Sequence, residues 1–549
     1  MRKHLIRSVA ICILLLSVVA FSLPQNDKYF EIVKNLDIFA TLYKEVNANY
    51  VDDINPNLII ETGIDAMLSS LDPYTVYYAE DEIEDVRTKN TGQYGGIGAR
   101  IGERLDGGVY VLMVDEGLAA DKAGLKRGDE IIQVAGQSVA NDYDRASEFL
   151  KGQAGSQVAL TVRRPFVGEI ELELSYEKIK LANVPYAGMV TSQIGLVKLA
   201  GFRQNASKEV KSAIRDLKKK GADHIILDLR GNGGGLLAEA VNVSNLFIDK
   251  DELIVTTKGK LEEMNASYKT LNASYDTEIP LVVLIDRSSA SASEIVAGVM
   301  QDYDRGVLIG QKSFGKGLVQ RTMPLSYNSQ LKVTIAKYYT PSGRCIQALD
   351  YANRNEDGSV GVIADSLKTQ FKTANGRLVF DGGGVDPDWP TERRAFSPLT
   401  ISLLAQDLFF QFANEYDHDW GELYSGQEVI ITDKIYDDFK VWLSDKSIGY
   451  SSDVIKQLEL LRLTADQQGQ LDEIADEIDR IDDAVKKDLE SDIEKAKKEI
   501  LFLLREEFAG RFFYEKGQLE ASFLDDADVQ KAVEVLNDPE IYQATLVGR

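Results

Sequence analysis

Cysteine and histidine are nearly missing from this chain, which has 549 residues but only 2 cysteines and 3 histidines. Cys12 lies inside an apolar N-terminal run and His4 precedes it, so the rest of the chain holds only Cys345, His224 and His418. One cysteine allows no intrachain disulfide. A zinc site of the Cys and His type lacks ligands, and there is no H-E-x-x-H. The expectation is an absence of metal and of any other cofactor. A Ser-His-Asp triad would need one of two histidines, so hydrolytic chemistry is sought among Ser, Lys, Asp and Glu.

Positive charge is scarce too. With 62 Lys and Arg against 87 Asp and Glu, the net charge is −25. That argues against a broad footprint for nucleic acid or anionic lipid. Only one long apolar run occurs, residues 8–23, 16 residues between the basic "MRKHLIR" and the polar "PQNDKYFE". This is the layout of a secretory signal, and it is short for a membrane span of about 20 residues. "AFS" (residues 20–22) offers small residues around a cleavage point. The expectation is a signal peptide over residues 1–24 and a periplasmic or secreted protein. An uncleaved anchor is the alternative, and the only route to membrane contact.

What the chain does contain is ordered in blocks. Residues 25–90 have apolar positions at helical spacing, broken by "LDPYTVYY" (71–78). Residues 91–176 read as short strands with glycine turns and one helix near "DYDRASEFLKG". Residues 177–395 alternate strands ("IGLVKLAGF", "HIILDLR", "PLVVLID", "RGVLIGQ") with helices, an α/β core. Residues 396–549 are acidic and helical. There Leu471, Ile474, Ile478, Ile481, Val485, Leu489 and Ile493 recur at spacings of 3 or 4. A long helix with one buried stripe and a coiled-coil or homodimerisation arm both fit that pattern.

Three glycine-rich stretches invite anion binding. "GQKSFGKG" (310–317) lacks the Ser or Thr of a P-loop and leads into a strand-like run. "RGNGGG" (230–235) has Leu236 where the dinucleotide fingerprint needs its third glycine. Its strand-to-helix position suits an oxyanion instead. "YGGIG" (Tyr94, Gly95, Gly96, Ile97, Gly98) opens the all-β block, and its amides could grip a peptide carboxylate. "SSASASE" (288–294) follows "PLVVLID" and starts a helix. Ser291 and Glu294 form S-x-x-E, a capping box. A nucleophile wants the same exposed strand-to-helix turn, so local pattern leaves both roles open. With histidine scarce, Lys316 in "FGKG" is the candidate base. A lysine acts as a base only when neutral, which a partly buried loop favours by desolvation.

"SSASASEIVAGVMQDYDRGVLIGQKSFGKGLVQ", with "ILDLRGNGGGLL" before it and "YYTPSGRCIQ" after it, resembles the carboxy-terminal processing proteases, or tail-specific proteases. "LDPYTVYY" and "GGIGARI…AGLKRGDEIIQVAGQSV" resemble the segment before that family's PDZ domain and the PDZ domain itself. The likeness covers about residues 30–390 and leaves 396–549 untouched. It implies a serine endopeptidase that recognises protein C-termini and cleaves through a Ser-Lys dyad and an acyl-enzyme. The implied architecture is α/β: a crotonase-like peptidase core (177–395), a PDZ domain (91–176), an N-terminal helical segment (25–90) and a helical C-terminal region. Position by position, the resemblance puts the nucleophile on Ser291 and the base 25 residues on at Lys316. It puts the lysine-orienting glutamine on Gln320 and the oxyanion donors on the amides of Ala292 and Gly234. The implied partners are proteins or peptides with free, apolar C-termini. The rival readings are a ligand-binding protein on the same scaffold and a PDZ scaffold with a vestigial peptidase core.

Overall fold

The computed structural model describes residues 27–548 except 356, 393, 417–423, 426–427, 447, 449–452 and 487–488. The expected signal segment and His418 lie outside the described residues. The chain divides into two units, one of Met1–Tyr78 with Thr322–Val333, the other of Ala79–Arg321 with Thr334–Arg549.

In the smaller unit, helix Asp27–Asn49 precedes helix Pro56–Ser69. The Asn55 side chain caps the second helix by accepting from the amides of Asn57 and Leu58, and Pro56 takes the first position, where no amide is needed. "LDPYTVYY" ends the helices and then forms a strand. Asp72 Oδ1 accepts from the Tyr74 and Thr75 amides, both at 2.8 Å. Val76–Tyr78 then pairs antiparallel with residues 330–332.

The larger unit is built on a sheet ordered Tyr186–Met189, Ile194–Lys198, His224–Asp228, Leu281–Ile285, Val307–Gly310, Trp389–Pro390. The first pair is antiparallel and the rest are parallel. A parallel sheet needs cover on both faces, which is why "HIILDL" and "PLVVLI" are apolar without alternation. Successive side chains go to opposite faces. Ile225, Leu227, Leu281, Val283 and Leu308 enter the core beneath helices Ala206–Lys219, Leu237–Ser244 and Ala292–Asp302. Ile226, Val282, Leu284, Val307 and Ile309 enter a second core, whose cover comes from the far end of the chain. Val529, Ala532, Val535 and Leu536 of helix Ala527–Asn537, with Tyr542 and Leu546 of helix Pro539–Val547, close that face. Thus the acidic helical region supplies one whole layer of the α/β core.

A separate antiparallel sheet runs in the order Ala99–Glu103, Val109–Val114, Glu130–Val134, Gln157–Arg164, Gly168–Ser175 and carries helix Tyr143–Phe149. Its core is Val109, Val111, Ile131, Val158, Leu160 and neighbours. This layer is fastened to the C-terminal helices by ions. Arg127 makes a two-pronged pair with Glu507 at 2.7 and 3.0 Å, and Arg104 pairs with Asp407 at 3.1 Å while lying over the Phe410 ring. The apolar stripe falls on helices Leu471–Lys486 and Leu489–Lys495, with Ile478 and Ile493 buried but Ile481 47% exposed. The Val485 and Leu489 side chains lie outside the described residues. Helix Leu471–Lys486 packs on Asp453–Gln467 of the same chain.

Tyr542 ties the last helix to the sheet: its hydroxyl accepts from the Leu281 amide at 2.9 Å and donates to the Leu281 carbonyl at 3.2 Å. Tyr542→Phe keeps the ring and strands a buried amide. Urea unfolding should show a loss of about 1–3 kcal/mol, with no loss if this contact is dispensable.

Candidate active site

Three adjacent parallel strands end on one side of the sheet. His224–Asp228 feeds the loop holding Gly234, Leu281–Ile285 feeds the turn holding Ser291, and Val307–Gly310 feeds the loop holding Lys316. Open α/β sheets bind ligands at the carboxyl ends of their strands. His224 begins its strand, so it sits about 13 Å from that end.

The serines of "SSASASE" differ sharply in environment. Ser289 is buried; its hydroxyl accepts from the Asp286 amide and donates to the Leu229 carbonyl, both at 2.9 Å. Ser293 is buried and donates to the Asn232 carbonyl at 2.8 Å. Ser291 is half-buried, and its hydroxyl makes no capping hydrogen bond to the helix it precedes. Its backbone has φ 55° and ψ −111°, a region that side chains avoid and that surrounding structure must enforce.

Glu294 does the enforcing. It is buried at 0% exposure. Oε2 accepts from the Ser291 amide at 2.8 Å and the Lys316 amide at 2.9 Å. Oε1 accepts from the Gly315 amide and the Ser313 hydroxyl, both at 2.6 Å. Burial raises the Glu294 pKa above the usual carboxylate value, against the pull of these four donors. One carboxylate oxygen therefore joins the serine turn to the lysine loop. Gly317 allows the approach of a neighbour on that loop's far side: a Cβ there would meet the Gln347 nitrogen at 2.8 Å. Gln320, on strand Leu318–Pro324, donates to Thr334 Oγ1 at 3.3 Å.

The glycine loop lies directly on the serine turn. A Cβ on Gly234, where φ is +99°, would come within 2.7 Å of the Ala290 carbonyl oxygen and 2.9 Å of the Ala292 nitrogen. Ala292 opens its helix, so its amide has no intrahelical acceptor. The Gly234 amide donates to Asn232 Oδ1 at 2.9 Å. Asn232, buried, also donates to the Leu199 carbonyl at 2.7 Å, and its own carbonyl accepts from the Ala290 amide at 3.0 Å. Sequence reasoning passed over Asn232. Its signal was being the one side chain capable of hydrogen bonding inside "GNGGG".

"YGGIG" is part strand and part turn. Tyr94, Gly95 and Gly96 pair antiparallel with Ile179, Lys178 and Glu177. The Ile97 and Gly98 carbonyls accept from the amides of Ala120 at 2.8 Å and Asp115 at 2.9 Å. This holds the turn at the start of Ala99–Glu103, an edge strand of its sheet in contact with helix Tyr143–Phe149.

Comparison with known proteins gives the family. The model for peptidase family S41 matches residues 193–352, and that for a PDZ domain matches 110–164. The model for the C-terminal helical domain of a probable PDZ-protease matches 399–536. These define a serine peptidase with a PDZ domain and an α/β core. The carboxy-terminal-processing protease of Bartonella bacilliformis is 35% identical over 340 residues, 61% of this chain and 77% of that protein. The carboxy-terminal processing protease CtpA of Bacillus subtilis is 34% identical over 308 residues, 55% of this chain and 65% of that protein. A solved photosystem II D1 C-terminal processing protease is 28% identical, with 66% of this chain and 94% of that one covered and a TM-score of 0.35. The chain belongs to the carboxy-terminal processing proteases, whose substrates are proteins or peptides.

Glu294→Gln tests the bridge. The amide nitrogen must replace one oxygen and so leaves at least one of the three N–H donors unmatched, at about 1–3 kcal/mol for each. Thermal unfolding should shift down and peptide cleavage should be lost; an active variant of unchanged stability would contradict the role given to this carboxylate.

Proposed function

We propose that this protease seizes the C-terminal tail of a protein and cuts the chain through a Ser291–Lys316 dyad. The observation that carries the reading is the shared acceptor, Glu294 Oε2, on the amides of both residues. The half-buried Ser291, set among serines whose hydroxyls are already engaged, supports it.

In this mechanism the neutral Lys316 amine takes the Ser291 hydroxyl proton while Oγ attacks the peptide carbonyl. The Ala292 amide and the Gly234 amide, the latter shared with Asn232, receive the oxyanion. The C–N bond breaks as the lysine ammonium gives its proton to the departing amine. Water then hydrolyses the ester, with Lys316 again as base. Gln320 orients the amine. The substrate tail adds as a strand to the edge Ala99–Glu103, its carboxylate at Tyr94–Gly98 and its apolar side chains toward helix Tyr143–Phe149. Tethering the tail raises its effective concentration at the serine. The basic, apolar and polar order of the first residues supports export to the periplasm or beyond.

Ser291→Ala should lower kcat on a peptide by on the order of 10⁴-fold or more, with the fold retained by circular dichroism. Lys316→Arg should be as inactive as Lys316→Ala, because guanidinium stays protonated, while His224→Gln should keep wild-type activity. An active Lys316→Arg would overturn the dyad. For the tail, a protein ending in free apolar residues should be cleaved faster than the same protein amidated or ending in aspartate. Equal rates for the three would remove C-terminal recognition from the mechanism.

A further inference from the structure

We propose that Asp526 and Asp528, two carboxylates of the C-terminal helical region, are positioning residues for peptide cleavage. They fix the Arg230 guanidinium and, through it, the glycine loop against the Ser291 turn. This rests on the Ser291 reading above.

Arg230 immediately precedes "GNGGG". Its Nε and Nη2 donate to Asp228 Oδ1 and Oδ2 at 3.0 and 2.9 Å. Its Nη1 donates to both Asp526 oxygens at 2.9 and 2.7 Å and to Asp528 Oδ2 at 2.8 Å. Asp228 is fully buried and Arg230 nearly so, with a side chain 14% exposed. Arg230 and Lys198 already flank Asp228, with Lys198 Nζ at 3.2 Å from its carboxylate. Neutralising Asp228 therefore does not require the C-terminal pair. What that pair supplies is charged acceptors for Nη1, the guanidinium nitrogen that Asp228 does not engage, so that the loop carrying Arg230 is tied to the C-terminal helix as well as to its own strand.

Both carboxylates are themselves fixed. Asp526 caps helix Ala527–Asn537 by accepting from the Asp528 amide at 2.9 Å and the Val529 amide at 3.2 Å. Asp528 accepts from the Thr391 hydroxyl. That helix is the one packed on the sheet through Val529, Ala532, Val535 and Leu536. On the other side, the Arg230 carbonyl accepts from Lys198 at 2.6 Å, and the Gly231 amide donates to Asp286 Oδ1 at 3.0 Å. Asp286 Oδ1 also accepts from the Ser288 amide at 3.0 Å, in the serine turn. The chain of contacts is continuous from helix cap to guanidinium to glycine loop to the serine turn at Ser288. A cavity of about 610 Å³ borders the cluster and is lined by Arg230, Asp286, Asp526 and Asp528 among others.

The test uses the full chain with Asp526→Asn and Asp528→Asn together, Asp526→Asn alone, and Asp526→Glu. Asp525→Asn serves as a control: its carboxylate pairs with Arg505 instead. Folding is verified by circular dichroism, kcat and KM are measured on a peptide, and amide hydrogen exchange is followed at residues 229–236. In the double variant kcat should fall roughly tenfold to a hundredfold with KM within about twofold, and exchange should speed up in 229–236. The single variant should fall between, because Asp528 still holds Nη1, and Asp526→Glu should restore most of kcat. Unchanged kcat, an equal loss in Asp525→Asn, or unchanged exchange at 229–236 would overturn the proposal. Exchange is also run in the Ser291→Ala background. If Ser291→Ala proves active, the nucleophile assignment fails, and the exchange result still decides the clamp.

Discussion

Four hydrogen-bond donors converge on the buried carboxylate of Glu294, and the geometry at the strand ends follows from that meeting. A carboxylate out of water is stable only with its oxygens satisfied. Here the donors come from two different loops, so satisfying the carboxylate fixes those loops together. It also divides the labour of capping. In an ordinary capping box the serine hydroxyl and the glutamate each hold a backbone amide. Glu294 keeps its half, and the Ser291 hydroxyl makes no capping bond.

The sheet strands were legible because they obey a one-dimensional rule: a strand buried on both faces is apolar throughout, as "PLVVLI" is. The amphipathic helix Ala206–Lys219 was legible because Val210, Ile214 and Leu217 recur at helical spacing. The cover of the second face was not, since nothing near residue 282 signals that Val529 and Leu536 will meet it. The stripe from Leu471 ran as one pattern, whereas Ile481 is exposed and the partner helix lies just upstream in the same chain. Val76–Tyr78 is not legible as a strand, because a three-residue strand has too few positions to show a period.

At the strand ends, the serine turn and the lysine loop stand out in the sequence as long motifs, and Glu294 by its cap spacing. Asn232 and Asp526 do not. Each meets partners fixed by tertiary packing, the first inside a glycine run whose backbone is the evident feature, the second beyond the family likeness that the sequence motifs carry. The PDZ attachment was hidden for the same reason. Glu507 is buried yet its pKa is lowered, because Arg127 and Arg511 offset the burial, while burial pushes Arg511 down to about 10. Such a cluster exists only once Phe410, Arg104, Arg127 and Arg511 share one seam. It gives the PDZ sheet a fixed seat on the helices.

The closing of the second sheet face by residues 527–547 bears on the order of events during synthesis. A ribosome finishes the five strands up to Val307–Gly310, the serine turn and the lysine loop about 200 residues before it delivers the helices that cover them. Until then Ile226, Val282, Leu284 and Ile309 have no cover, and pairing so distant in sequence forms late. The emerging chain thus carries every strand of its cleavage centre without a finished core beneath it. Maturation of that centre becomes a property of the completed polypeptide, a built-in delay between making a protease and having one.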